Sequence, residues 1–183
     1  MEALVLLLFF AAYILVRVIF GVGKTDWEKQ WQIHEEGIRF LQSNQMNLAG
    51  EYFEAAVINR PHDALSFVML GRIALAQQET ERALMYGSRA LRLDNSIWQA
   101  HLLMSKALHQ TGDFSAALLN ARNAVWFGRN AGEAYHWYGK LLLESGEMDK
   151  GLEMLNESYR LGEEHAGWLL RKKGSSGNQK KSS

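Results

Sequence analysis

Two patterns of apolar residues divide the chain. From Ala3 to Val16 the sequence is uninterruptedly apolar, and Val18 to Val22 continues the run past Arg17. Farther on, apolar residues recur at three- and four-residue steps, as in Leu65, Val68, Met69 and Leu75 or Leu141, Leu142, Met148, Leu152 and Leu155. That spacing belongs to amphipathic helix and not to strand. The helical pattern breaks at Asn44-Gln45, Gln78-Glu79, Gly112-Asp113 and Gly146-Glu147, each break 34 residues after the last. Asn and Gly tolerate the left-handed conformation that ends a helix, so each period predicts a helical hairpin.

Small residues keep the same period. Gly37, Gly71, Ser105 and Gly139 form one series, Ala49, Ala83, Ala117 and Gly151 a second, and Ala56, Ala90, Ala124 and Ser158 a third. Small side chains at fixed spacing mark places where helices approach closely, and a period of this length marks a solenoid. On these residues the chain resembles the tetratricopeptide repeat family. The segment 30–63 has the fullest signature, with Gly37, Phe40, Ala49, Phe53, Ala56 and the terminating Pro61. In later copies the equivalents of Phe53 are Gly87, Ala121 and Leu155. The resemblance implies an all-α fold, a right-handed superhelix of about four tandem helix-turn-helix repeats over 30–63, 64–97, 98–131 and 132–165, with a concave inner face.

The N-terminal run is hydrophobic all round and close to the length of about 20 residues that spans a bilayer core. Residues 1–23 therefore predict a transmembrane anchor, with Leu4, Leu8, Phe9, Phe10, Ile14 and Phe20 in lipid and Arg17 reaching the headgroups. A buried core helix and a cleaved signal peptide are the alternatives, but Glu2 precedes the run where a signal peptide needs basic residues. Arg17, Lys24 and Lys29 lie at or after the end of the span, which puts the repeats in the cytoplasm. Residues 24–29 form a short junction in which Thr25 and Glu28 read as a capping box. Trp27 and Trp31 share a helical face that packs under the first repeat or meets the headgroups.

At the other end, residues 166–173 suit a capping helix for the solenoid. Residues 174–183 consist of Gly, Ser, Asn, Gln and Lys, a composition that predicts disorder. Twenty Lys plus Arg balance twenty Asp plus Glu, so the chain lacks the basic footprint of a nucleic-acid binder. The sequence has no cysteine, which excludes a disulfide framework and thiol chemistry.

Histidines offer no better route to an enzyme. His34-Glu35 begins like a zinc-protease motif, but Ile38 stands where the second ligand belongs. His101 and His109 are two turns apart, at about 12 Å too distant for one metal. No phosphate loop or nucleophile elbow is present. We therefore expect no catalysis, no cofactor, no metal and no small-molecule substrate.

What remains is the concave face, which the resemblance assigns to the first helix of each hairpin. Carried over residue by residue, it holds His34, Glu35, Ile38, Leu65, Met69, Arg72, Leu102, Leu103, Lys106, His109, His136, Trp137 and Lys140. Arg72, Lys106 and Lys140 recur at the repeat period, a ladder of cations suited to an acidic or carboxylate-bearing segment, with Met69 and Trp137 for apolar contact. Where chaperone-tail binders have polar clamp residues, this chain has Ile38 and Met69. The expected function is a membrane-anchored scaffold that docks a protein partner, supporting assembly or regulation of a membrane complex. Its layout, anchor first and repeats after, resembles bacterial inner-membrane assembly factors and implies that location. The alternatives are a permanent structural subunit using apolar residues such as Trp126 and Phe127, and a periplasmic chaperone-like module of opposite topology.

Overall fold

The computed structural model describes residues 26–163, with side chains from His34 onward. This span contains eight helices: α1 (Asp26–Gln42), α2 (Met46–Asn59), α3 (Ala64–Ala76), α4 (Thr80–Leu93), α5 (Trp98–Thr111), α6 (Phe114–Phe127), α7 (Gly132–Glu144) and α8 (Met148–Arg160). No strand occurs among the described residues. The chain divides into two units, one ending at Asn44 and holding α1, the other beginning at Gln45 and holding α2 to α8. None of the described helices is long and apolar enough to cross a membrane. The expected anchor at 1–23, the cap at 166–173 and the tail lie outside the described residues, as do Thr25 and the side chains of Trp27 and Trp31.

In the second unit the helices keep the sequence period. First helices begin at Ala64, Trp98 and Gly132, second helices at Met46, Thr80, Phe114 and Met148. Each helix packs on the next in the chain, and the first helices also pack on one another, α3 on α5 and α5 on α7. Three turns close the α3–α4, α5–α6 and α7–α8 hairpins in one geometry, with Gln78 at φ 63°, Gly112 at 85° and Gly146 at 88°. Each left-handed residue reverses the chain so that the next amide donates to a carbonyl five residues back: Glu79 to Ala74 at 2.8 Å, Asp113 to Leu108 at 3.0 Å and Glu147 to Leu142 at 2.9 Å. These bonds satisfy carbonyls that the helix end would otherwise leave bare. Gln78 does the same work as glycine at a steric cost, because its Cβ crowds the backbone at positive φ.

Small-residue positions form the contacts between helices. Ala49, Ala83, Ala90, Ala117 and Ala124 have no exposed surface. A Cβ built on Gly71 would collide with Leu103, and one on Gly139 would stand 2.9 Å from the Gly151 carbonyl and 3.2 Å from the Leu155 amide nitrogen. Serine replaces glycine or alanine where its hydroxyl has work to do. Ser158 Oγ donates to the Gly132 carbonyl at 2.8 Å, tying α8 to the start of α7. The larger core members fill what the small ones leave: Phe53, Val68 and Leu155 are fully buried, and Leu103 and Leu141 lie in separate clusters.

Candidate partner-binding groove

The groove is built from α3, α5 and α7, and the repeat register decides which side chains reach it. Met69, Leu103 and Trp137 occupy one register position, and at this position the chain faces the interior. Met69 is 5% and Leu103 2% exposed, so neither offers open surface, although Leu103 floors a cleft beside it. Trp137 is large enough to do both jobs. It packs against the cluster of Leu102, Ala124 and Ala134 and against that of Ala117, Ala121 and Leu141. Its Nε1–H donates to Ser105 Oγ at 2.7 Å, and Ser105 Oγ donates to the Ala117 carbonyl at 2.7 Å. Two hydrogen bonds thus link α7 to α5 and α5 to α6 through one buried hydroxyl.

The outer face of Trp137 carries the cations. Lys140 Nζ lies 4.8 Å and Lys106 Nζ 5.7 Å from the ring centroid, within the range where an ammonium is drawn to an aromatic face. Each also meets a carboxylate. Lys106 Nζ is 2.7 Å from Glu133 Oε1, and Lys140 Nζ is 3.8 Å from Glu144 Oε1. His109 Nε2 is 2.9 Å from Glu144 Oε2, and its ring meets Trp137 edge-on at 5.4 Å. Burial pushes the Glu133 carboxyl up, but the charge and hydrogen bond of Lys106, with the charges of Arg72 and His136, outweigh it and hold the group below its ordinary value. Glu133 is therefore an anion committed to its neighbours.

Arg72 is different. Its guanidinium is exposed and makes no hydrogen bond or ion pair among the described residues. The register explains why. Lys106 meets Glu133 one repeat on, and the residue equivalent to Glu133 in the repeat before is Gln99. Arg72 thus faces an amide where Lys106 faces an acid. Arg72 and Gln99 line a cleft of about 290 Å³ with Lys106 and Glu133, and its apolar walls are Leu75, Ala76, Trp98, Leu102 and Leu103.

The structure therefore brings Arg72, Leu103, Lys106, His109, Trp137 and Lys140 to one face of the second unit. Met69 goes to the core, His136 follows on α7, and His34 lies on α1 in the first unit. Glu133, Glu144, Gln99 and Trp98 are not among the residues that the resemblance placed on the concave face. The signal for Glu133 was present as an acid one repeat less two turns after a ladder lysine. Among the described residues, no group of three or more His, Asp or Glu side chains is placed to hold a metal ion.

Solved structures share this architecture. The tetratricopeptide repeat protein TTC0263 of Thermus thermophilus superposes with a TM-score of 0.64 at 18% identity, over 72% of this chain and 74% of that one. YrrB, described as a tetratricopeptide repeat protein with an unusual peptide-binding site, gives 0.57 at 22% identity over 77% and 73%. MamA gives 0.57 at 14% identity over 80% and 97%. No protein-family model matches the chain. No curated protein sequence matches it either. At these identities the likeness is one of fold, and the fold is tetratricopeptide-repeat-like.

Proposed function

We propose that the chain is a membrane-anchored docking scaffold whose groove takes an acidic or carboxylate-bearing segment of a protein partner. Such capture would support assembly or regulation of a membrane-associated complex. Arg72 carries this reading: it is an exposed cation that makes no hydrogen bond or ion pair among the described residues, acts on Glu133 only through its charge across the cleft, and stands beside apolar walls. A guanidinium can take a carboxylate through two parallel hydrogen bonds. Leu75, Ala76 and Trp98 would then receive an apolar side chain next to that acid. The peptide-binding site named for YrrB makes a short peptide the natural probe. The apolar run ending at Val22 supports the anchor, and Arg17 near its end with Lys24 and Lys29 after it supports a cytoplasmic, bacterial inner-membrane placement of the repeats.

The test is fluorescence anisotropy on the full chain in mild detergent, using a labelled peptide of alternating leucine and glutamate. Binding should weaken with salt and fall about tenfold or more in Arg72→Glu. Equal binding of the same peptide with glutamine for glutamate would contradict the reading. Topology is tested separately by a reporter fused after Lys173, which should be cytoplasmic; a periplasmic signal would overturn the orientation.

A further inference from the structure

The second helices end along one edge of the unit, away from the turns at Gln78, Gly112 and Gly146. In their last turns a single register position holds Ile58, Arg92, Trp126 and Arg160, apolar and cationic in alternation. All four are exposed, Ile58 by 79% and Trp126 by 66%. Phe127 adds a second aromatic at 42% exposure. It is held by His101, whose ring stacks on it at 5.4 Å and 8° while its nitrogens meet the Asn95 carbonyl and the Asn120 side-chain oxygen. With Phe127 pinned in this way, Trp126 stands outward beside a cleft of about 720 Å³ that Arg122 also lines.

Exposed arginines recur along this edge. The Arg129 guanidinium sits 5.6 Å from the Trp126 ring centroid. Arg92, Arg122 and Arg129 make no ion pair among the described residues. Of the nearby acids, Asp94 is turned into its own loop, accepting from Ser96 N at 2.8 Å and Ser96 Oγ at 2.6 Å. Glu157 is bound to Arg160.

Exposed tryptophan among free guanidinium groups matches a bilayer surface. The indole favours the headgroup level, and arginine favours anionic phosphate. We propose that this edge, from Ile58 through Arg92, Trp126 and Arg129, docks on the surface of an anionic bilayer. The inference rests on the membrane-anchor reading and extends it, because an anchor alone leaves the orientation of the solenoid undetermined.

The natural absence of cysteine makes the test clean. Single cysteines at Asn123→Cys beside Trp126, Glu81→Cys at the opposite edge and Leu8→Cys in the apolar run each take a nitroxide label. The full chain is reconstituted into vesicles of phosphatidylcholine with or without phosphatidylglycerol, and collision with a water-soluble nickel reagent is read by electron paramagnetic resonance. The Asn123 label should be shielded only with phosphatidylglycerol, and the Glu81 label should stay in water. Arg122→Gln and Arg129→Gln should each weaken docking about fivefold, and Trp126→Ala should weaken it as well. An Asn123 label in water while the Leu8 label is buried overturns edge docking and leaves the anchor standing. A Leu8 label in water overturns the anchor, and the Asn123 label still reports on the edge. Shielding that persists in detergent without vesicles would mean a protein contact and would also overturn the proposal.

Discussion

The two ends of the groove use the same repeat and reach opposite electrostatic states. At the α5–α7 end, Lys106, His109 and Lys140 crowd around Trp137 and are met by Glu133 and Glu144. At the α3–α5 end, Arg72 faces Gln99 across a cleft with apolar walls. Glutamate for glutamine at two repeat positions, Glu133 for Gln99 and Glu144 for Gln110, separates a closed ion-pair cluster from a cation that makes no ion pair. A ladder of like charges in a solenoid is therefore not a ladder of equivalent sites. Partners one repeat away decide which rung is available to a ligand.

The largest expected effect comes from removing the centre of the closed end. Trp137→Ala should destabilise the second unit by about 3 kcal/mol, because it deletes a ring shared by two core clusters and removes the N–H that Ser105 Oγ accepts. Trp137→Phe, which keeps an aromatic ring but loses the N–H and part of the packed volume, should cost less, about 2 kcal/mol. Chemical denaturation of the two variants reads what the retained ring contributes; equal losses would show that the ring itself matters little. The frame beneath both ends is tested by Ala83→Leu and Ala117→Leu. Each position is fully buried, and each change should cost about 1 to 3 kcal/mol by overpacking. Melting like the parent in both variants would refute the close-contact role of these alanines.

Acid should act on the closed end. The Glu133 carboxyl is held below its ordinary value, so its contribution is complete above the ordinary carboxylate range and is lost as pH falls through the lowered one. Stability measured against pH should therefore fall on that acid limb, and Glu133→Gln should flatten part of it. An unchanged limb in Glu133→Gln would mean that the pair adds nothing to stability. The smallest effect lies in the turn behind the open end. Gln78 adopts the left-handed conformation that Gly112 and Gly146 adopt at the equivalent turns of the closed end. Gln78→Gly should then stabilise by about 1 kcal/mol, less the added freedom of the unfolded chain. A loss of stability in thermal melts would contradict that account.

The helical-hairpin solenoid was legible in the sequence because its causes are local and periodic. Small residues at Gly71, Ala83 and Ala90 must recur wherever helices touch, and a turn must recur wherever a helix ends. Even Gln78, a poor left-handed residue by type, was marked by the period. The site was only partly legible. Register alone placed Arg72, Lys106 and Lys140 on one face, but Met69 and Leu103 showed as surface candidates when their register position points inward. The counter-ions were missed for a physical reason: the contact from Lys106 to Glu133 crosses between helices and follows packing geometry, which the 34-residue spacing of like positions does not express.

The central claim is that Gln99 leaves Arg72 open where Glu133 closes Lys106. Its most direct test is the affinity of the labelled leucine–glutamate peptide for the full chain and for Gln99→Glu, measured side by side at low salt. The account predicts that the new carboxylate occupies Arg72 and weakens binding about tenfold, roughly 1.4 kcal/mol, with the fold and melting temperature retained. Unchanged affinity in a folded Gln99→Glu variant would contradict it.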